Sequence, residues 1–162
     1  MTPRREPVTI GEAKAAGAGT ILYTLGLGSC VAIVLFDGET RIGGLAHALL
    51  PEPRADRAAQ PAARYVATAV PTLLELMEAV GASRRRIRAR LAGGASMFDT
   101  LLSEGGRQLG MRNVDAARSA LARAGIPVDR EDVGGTHGRS VYVHVDDGRV
   151  IVSSVLYPDV IL

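Results

Sequence analysis

The chain has 162 residues, 47% of them hydrophobic and 22% charged, with a formal net charge of +2. That length suits one domain with a substantial core rather than two, and so small a net charge gives no footprint for nucleic acid. One cysteine excludes an internal disulfide and a multi-cysteine zinc site, and no stretch approaches the roughly 20 apolar residues of a membrane span. The polar start, MTPRREPVTI, lacks the apolar segment of a signal peptide, so a cytoplasmic protein that is not membrane-inserted is expected.

Residues 1–19 mix charges, Ala and Gly and predict a flexible N-terminal arm ahead of a single domain spanning 20–162. Ile21–Thr24 is a short strand candidate, and the apolar run Val31–Phe36 suits a strand buried on both faces. A turn over Asp37-Gly38-Glu39-Thr40 leads to a second apolar strand, Ile42–Leu50, stopped by Pro51. After a polar loop, Val66, Val70, Leu73, Leu74, Met77 and Val80 recur at helical spacing. Pro71 inside that pattern implies either a kink or a short helix followed by a second one. Ile87, Ala89 and Leu91 alternate with Arg86, Arg88 and Arg90, a half-buried strand ended by Gly93-Gly94. The basic face from Arg84 to Arg90 reads more readily as a solvated strand face than as a contact for acidic helices or nucleic acid. Residues 96–111 hold short helical possibilities broken by Gly105-Gly106. Asn113 is suited to N-cap a helix that buries Val114, Ala117, Leu121 and Ala124 and stops at Gly125. Ser140–Val145 and Arg149–Val155 form a hairpin about Asp147-Gly148. The order strands, helix, strand, helix, strands predicts an α+β fold.

Thr24-Leu25-Gly26-Leu27-Gly28-Ser29-Cys30 carries the one cysteine. It begins like a dinucleotide fingerprint, but the third glycine is missing and a strand follows instead of a helix, which excludes that reading. A lone cysteine is commonly inert core; as a nucleophile it needs a base within hydrogen-bond reach. If the following turn is centred between Gly38 and Glu39, Cys30 stands directly opposite His47 with Cβ atoms about 5 Å apart. A turn centred on Asp37-Gly38 puts Cys30 opposite Leu45 instead. Glycines before the cysteine allow a turn whose successive N–H groups point inward, making the amides around Gly28, Ser29 and Cys30 candidates to hold an oxyanion. Thr24 is available to orient His47, although spacing does not select it. His137 and His144 have no evident third ligand, so neither a metal nor a cofactor is expected.

Thr24–Cys30, then Gly43-Gly44-Leu45-Ala46-His47 closed by Pro51, resemble the CheD family of chemoreceptor glutamine deamidases. The likeness continues through Gly93-Gly94-Ala95, Met97-Phe98, Gly110, Arg112-Asn113, Gly125-Ile126-Pro127, Asp132-Val133-Gly134-Gly135 and Gly138-Arg139. The resemblance implies a catalytic set Cys30, His47 and Thr24 that converts chemoreceptor glutamines to glutamates. It also implies a β-sandwich core with helices outside, like the catalytic domain of cytotoxic necrotizing factor toxins, and docking of a CheC-type phosphatase by some members. Two departures stand out: Val66-Ala67 after Tyr65, where the family often has an acidic residue, and His137 within the glycine-rich segment near the end. The alternative is a non-catalytic module that docks a phosphatase or receptors. A redox sensor ranks last, because no resolving cysteine exists.

Overall fold

The computed structural model describes residues 1–55, 61–97 and 103–162, with the backbone alone described over 103–108. Phe98, one member of the Met97-Phe98 likeness, lies outside the described residues. Two five-stranded sheets stack face to face. One holds β1 (Arg4–Pro7), β3 (Thr20–Leu27), β8 (Arg139–His144), β9 (Arg149–Ser153) and β10 (Val160–Ile161), in that order. The other runs β2 (Ala13–Ala16), β5 (Ile42–Ala48), β4 (Val31–Asp37), β6 (Ile87–Gly93) and β7 (Val128–Val133). The helices α1 (Val66–Ala79) and α2 (Ser103–Arg123) cover the outer face of this second sheet.

The central strand β4 explains the layering. Val31, Ile33 and Leu35 pack with Val70, Leu73 and Leu121 on the helix side. Ala32 and Val34 pack with Leu22, Val141 and Val143 of the opposing sheet. A strand with apolar side chains on both faces can sit only between two layers, as its continuous run predicts. Each fully buried Leu contributes about 1.5–3 kcal/mol, and helix α1 adds Leu73, Leu74 and Met77 to this core. Pro71 lies within α1 on its exposed side, so the region 66–79 is one helix preceded by a 3-10 turn at Ala62–Arg64.

Several expectations need correction. Residues 1–19 are not a loose arm: β1 pairs in parallel with β3 and β2 pairs antiparallel with β5, so the segment joins both sheets. Val8, between the two strands, is buried. Composition hid these strands because they lie at sheet edges, where one side of the strand faces water: β1 is polar and β2 mostly alanine, and neither shows an apolar period. The helix expected to begin at Asn113 begins at Ser103 and runs through Gly105-Gly106, so Asn113 is an interior residue and no N-cap. The hairpin register also differs. The turn is centred between Glu39 and Thr40, with Asp37 opposite Ile42 and Ala32 opposite His47. Asp37-Gly38 resembles a turn signal, yet the Asp37 carboxylate is buried and accepts from Arg86 Nη2 at 2.9 Å and Ser83 N–H at 2.9 Å. Burial opposes its ionisation, but the Arg86, Ser83 and Thr40 hydrogen bonds prevail and hold its pKa well below the usual carboxylate range. Thus anchored, Asp37 stays in the strand, and Arg41 takes the positive φ of 52° that closes the turn.

The basic face beginning at Arg84 is occupied by ion pairs and hydrogen bonds. Arg84 meets Glu78 at 2.7 Å, Arg86 meets Asp37, Arg88 meets Asp129, and Arg90 donates to Gly148 O at 2.9 Å. Among the described residues no helix is long and apolar enough to cross a membrane.

Candidate active site

The chain crosses from one sheet to the other between β3 and β4, and Cys30 lies in that crossing. Thr24 projects from β3 into the space between the sheets, and His47 projects into it from β5 of the facing sheet. Both are buried, His47 completely. They meet across the sandwich: Thr24 Oγ1 lies 2.6 Å from His47 Nδ1. The Thr24 hydroxyl has one proton, and it is donated to Val8 O at 2.6 Å. Toward the imidazole the oxygen can therefore only accept, so Nδ1 carries the proton and Nε2 presents its lone pair. Nε2 is buried with no hydrogen-bond partner among the described residues. The strand around His47 is held from the same N-terminal segment, with Gly11 N–H donating to His47 O at 2.8 Å and His47 N–H donating to Glu12 O at 3.0 Å.

Cys30 is not directly opposite His47, as the sequence register had it. It precedes β4 by one residue and stands diagonal to His47, two positions from the opposed Ala32. The difference from the expected pairing is two residues, and side chains alternate with period two, so both groups remain on the inter-sheet face. Diagonal neighbours lie within reach of longer side chains such as imidazole. The thiol is buried, with Cys30 only 6% exposed. A groove of about 510 Å³ borders the loop, lined by Gly26, Met97, His137, Ser140, Ser153 and Leu156 among others, and Cys30 is not part of its lining.

Burial sets the resting charges. It lowers the His47 pKa to about 4 and raises that of the Cys30 thiol, against a smaller lowering by the residue's own N–H. At neutral pH the two groups are a thiol and a neutral imidazole.

The crossing is positioned through its carbonyls. Gly28 O accepts from Ala95 N–H at 2.8 Å, Ser29 O from Asn113 Nδ2 at 2.9 Å, and Cys30 O from Gly94 N–H at 2.8 Å. Gly93 and Gly94 have φ of 110° and 66°, and a Cβ built on Gly93 would stand 2.3 Å from Cys30 O. Only glycine fits both the backbone angle and the contact. Behind them the buried Arg139 donates to Gly134 O at 2.8 Å and pairs with Asp132 at 3.2 Å, while Gly134 N–H donates to Gly93 O at 2.9 Å. A register shift between Thr24 and Leu27 bends β3 into the loop.

The structure thus brings Thr24 and His47 into contact and sets Cys30, with Gly28 and Ser29 before it, on the adjoining crossing. Sequence reasoning missed Val8, whose backbone carbonyl carries no side-chain signal, and it explained Asn113 away as a cap. From the residues themselves Gly93-Gly94 reads as a strand end, and the family likeness adds no role for it. Arg112 is exposed on α2 and His137 lines the bordering groove, where its ring lies 4.7 Å from that of Tyr157. Among the described residues no group of three or more His, Cys, Asp or Glu side chains is arranged to hold a metal ion.

Comparison with known proteins places the chain in a family. The sequence model described as CheD chemotactic sensory transduction matches residues 49–154. The chain is 44% identical over 152 residues to a protein of Geobacter metallireducens named probable chemoreceptor glutamine deamidase CheD 2, covering 93% of this chain and 94% of that one. Proteins named probable chemoreceptor glutamine deamidase CheD from Archaeoglobus fulgidus and Thermococcus kodakarensis are 43% and 42% identical, covering 90% and 91% of this chain and the same shares of theirs. Among solved structures, a hypothetical protein YfiH of Bacillus licheniformis matches with a TM-score of 0.44 and 15% identity, over 82% of this chain and 60% of that one.

Proposed function

The chain belongs to the CheD family, and from that membership we propose that it hydrolyses the side-chain amide of chemoreceptor glutamines to glutamate, with Cys30 as nucleophile, in chemotactic adaptation. The observation that carries the chemical part is the 2.6 Å contact of Thr24 with His47, which leaves Nε2 bare on the sheet face that also carries the one cysteine. In this reading Nε2 takes the thiol proton as Sγ attacks the carboxamide carbon. The carbonyl π pair moves onto oxygen, giving a tetrahedral oxyanion. When that oxyanion collapses, the C–N bond breaks and His47 returns the proton to the departing nitrogen, releasing ammonia and leaving a thioester. Water, deprotonated by His47, then attacks the thioester; the C–S bond breaks, freeing glutamate and the thiol. Thr24 keeps the imidazole in the productive tautomer throughout.

The N–H groups of Ser29 and Cys30 are the proposed oxyanion donors. In a planar trans peptide the carbonyl and the next N–H point in opposite directions. Gly28 O and Ser29 O are turned toward Ala95 and Asn113, so the Ser29 and Cys30 N–H groups are turned away from those elements. Oxyanion donors must be fixed before the charge develops, and the carbonyl ties supply that fixity. The likeness to the toxin catalytic domain, a cytoplasmic location and docking of a CheC-type phosphatase belong with this proposal.

Incubating receptor fragments with wild type and Cys30→Ala, and following Gln-to-Glu conversion by mass spectrometry, tests the reading. Conversion by the wild type and a loss of at least about a thousandfold in Cys30→Ala are expected. Equal conversion by both proteins overturns it. The rival reading, a non-catalytic docking module, predicts partner binding with turnover by neither.

A further inference from the structure

Asn113 sits in the interior of α2 and is fully buried, and its one Nδ2 donates to two main-chain carbonyls, Ser29 O and Leu49 O, each at 2.9 Å. Asparagine is an unfavourable choice inside a helix, and here its Oδ1 is buried with no partner among the described residues. Those two costs accompany a contact that reaches the residue before Cys30 and the second residue after His47. Of the three carbonyl ties on the cysteine loop, those from Ala95 and Gly94 are backbone to backbone; Asn113 supplies the one made by a side chain.

We propose that Asn113 is a positioning residue that fixes the Ser29–Cys30 peptide plane so that the Cys30 N–H faces the place where the tetrahedral oxygen forms. The proposal rests on the reading of Cys30 as the deamidase nucleophile. Carbonyl and N–H belong to one rigid plane, so holding Ser29 O at one edge aims the Cys30 N–H at the other. The second bond, to Leu49 O, ties the same side chain to the segment that follows His47, giving nucleophile loop and base strand a common anchor.

The way α2 is seated supports this role. A Cβ on Gly110, three residues before Asn113, would stand 2.5 Å from Gly94 O and 2.7 Å from Ala95 O, and a Cβ on Gly94 would stand 2.3 Å from Val114 Cγ2. The helix backbone therefore rests directly on the turn that laces the cysteine loop, and a side chain as short as asparagine spans the remaining distance.

The test separates a reaction that forms an oxyanion from one that does not. Asn113→Leu keeps the side-chain volume and removes the donor. Deamidation of a receptor fragment and alkylation of Cys30 by iodoacetamide are measured on folded wild type and variant; as the chain has one cysteine, alkylation reports that residue alone. The expected result is a ten- to hundredfold fall in kcat, with KM and the alkylation rate within about threefold of wild type. Parallel falls in kcat and alkylation mean that the loop itself has shifted and overturn the proposal, as does an unchanged kcat. If Asn113→Leu does not fold, Asn113→Ser, too short to span both carbonyls, is read by the same two assays with the same expected split. Failure of the nucleophile reading is recognised separately, by full activity in Cys30→Ala.

Discussion

The two halves of the site are held by different means. On the base side, position is set by side-chain chemistry in the sandwich interior: one hydroxyl gives its proton to Val8 O and so dictates which imidazole nitrogen is bare. On the nucleophile side, position is set chiefly through the main chain: three fixed carbonyls, one of them tied by the Asn113 side chain, and two glycines at positive φ. The base is consequently sensitive to polar substitutions, whereas the nucleophile is sensitive to the addition of a single methyl group nearby.

The sharpest way to break this contrast is Gly93→Ala, which adds one carbon where Cys30 O stands 2.3 Å away, in a backbone of φ 110°. Activity per folded molecule is expected to fall at least about a hundredfold, with a loss of about 2 kcal/mol or more in urea unfolding. Near-normal turnover would mean that the loop is not fixed by its carbonyls. Thr24→Val ranks next: it keeps shape and removes the acceptor of the Nδ1 proton. A ten- to hundredfold fall in kcat is expected, with Thr24→Ser retaining most activity. Nitrogen NMR of His47 should report the Nδ1–H tautomer in the wild type and a mixture in Thr24→Val. A third effect is on stability against pH. His47 titrates at about 4 when folded and near its ordinary 6.5 when unfolded, so between those values the unfolded chain binds more protons. Stability contributed by the neutral, buried imidazole is complete above about pH 6.5 and is lost as pH falls toward 4, by about 3 kcal/mol in all. Urea midpoints of wild type and His47→Gln between pH 7.5 and 4.5 measure it, the variant losing that component of the slope.

The same division decides what could be read from sequence. β4, β5, β6, α1 and the hairpin of β8 and β9 follow from apolar period and turn residues, because burial of a repeating side-chain pattern drives them. β1, β2 and β7 escape, since edge strands with polar residues such as Arg4–Pro7 and Val128–Val133 leave no such pattern. The face shared by Cys30 and His47 was legible, but their opposition was not, because Asp37 has the composition of a turn and the partners of a strand. Asn113 failed for a comparable reason. A cap and an interior clamp have the same side chain, and the difference lies in the Ser29 and Leu49 carbonyls that only the fold brings near.

The ties on the cysteine loop also bear on synthesis. Thr24, Cys30 and His47 all leave the ribosome early, yet Ser29 waits for a partner 84 residues further along the chain, and Leu49 for the same partner 64 residues on. A nascent chain emerged to residue 60 therefore contains every proposed reacting group and none of the ties from 93–113 that aim the loop. Contacts of such sequence separation form late. The thiol is thus translated well before the ties on its loop can form.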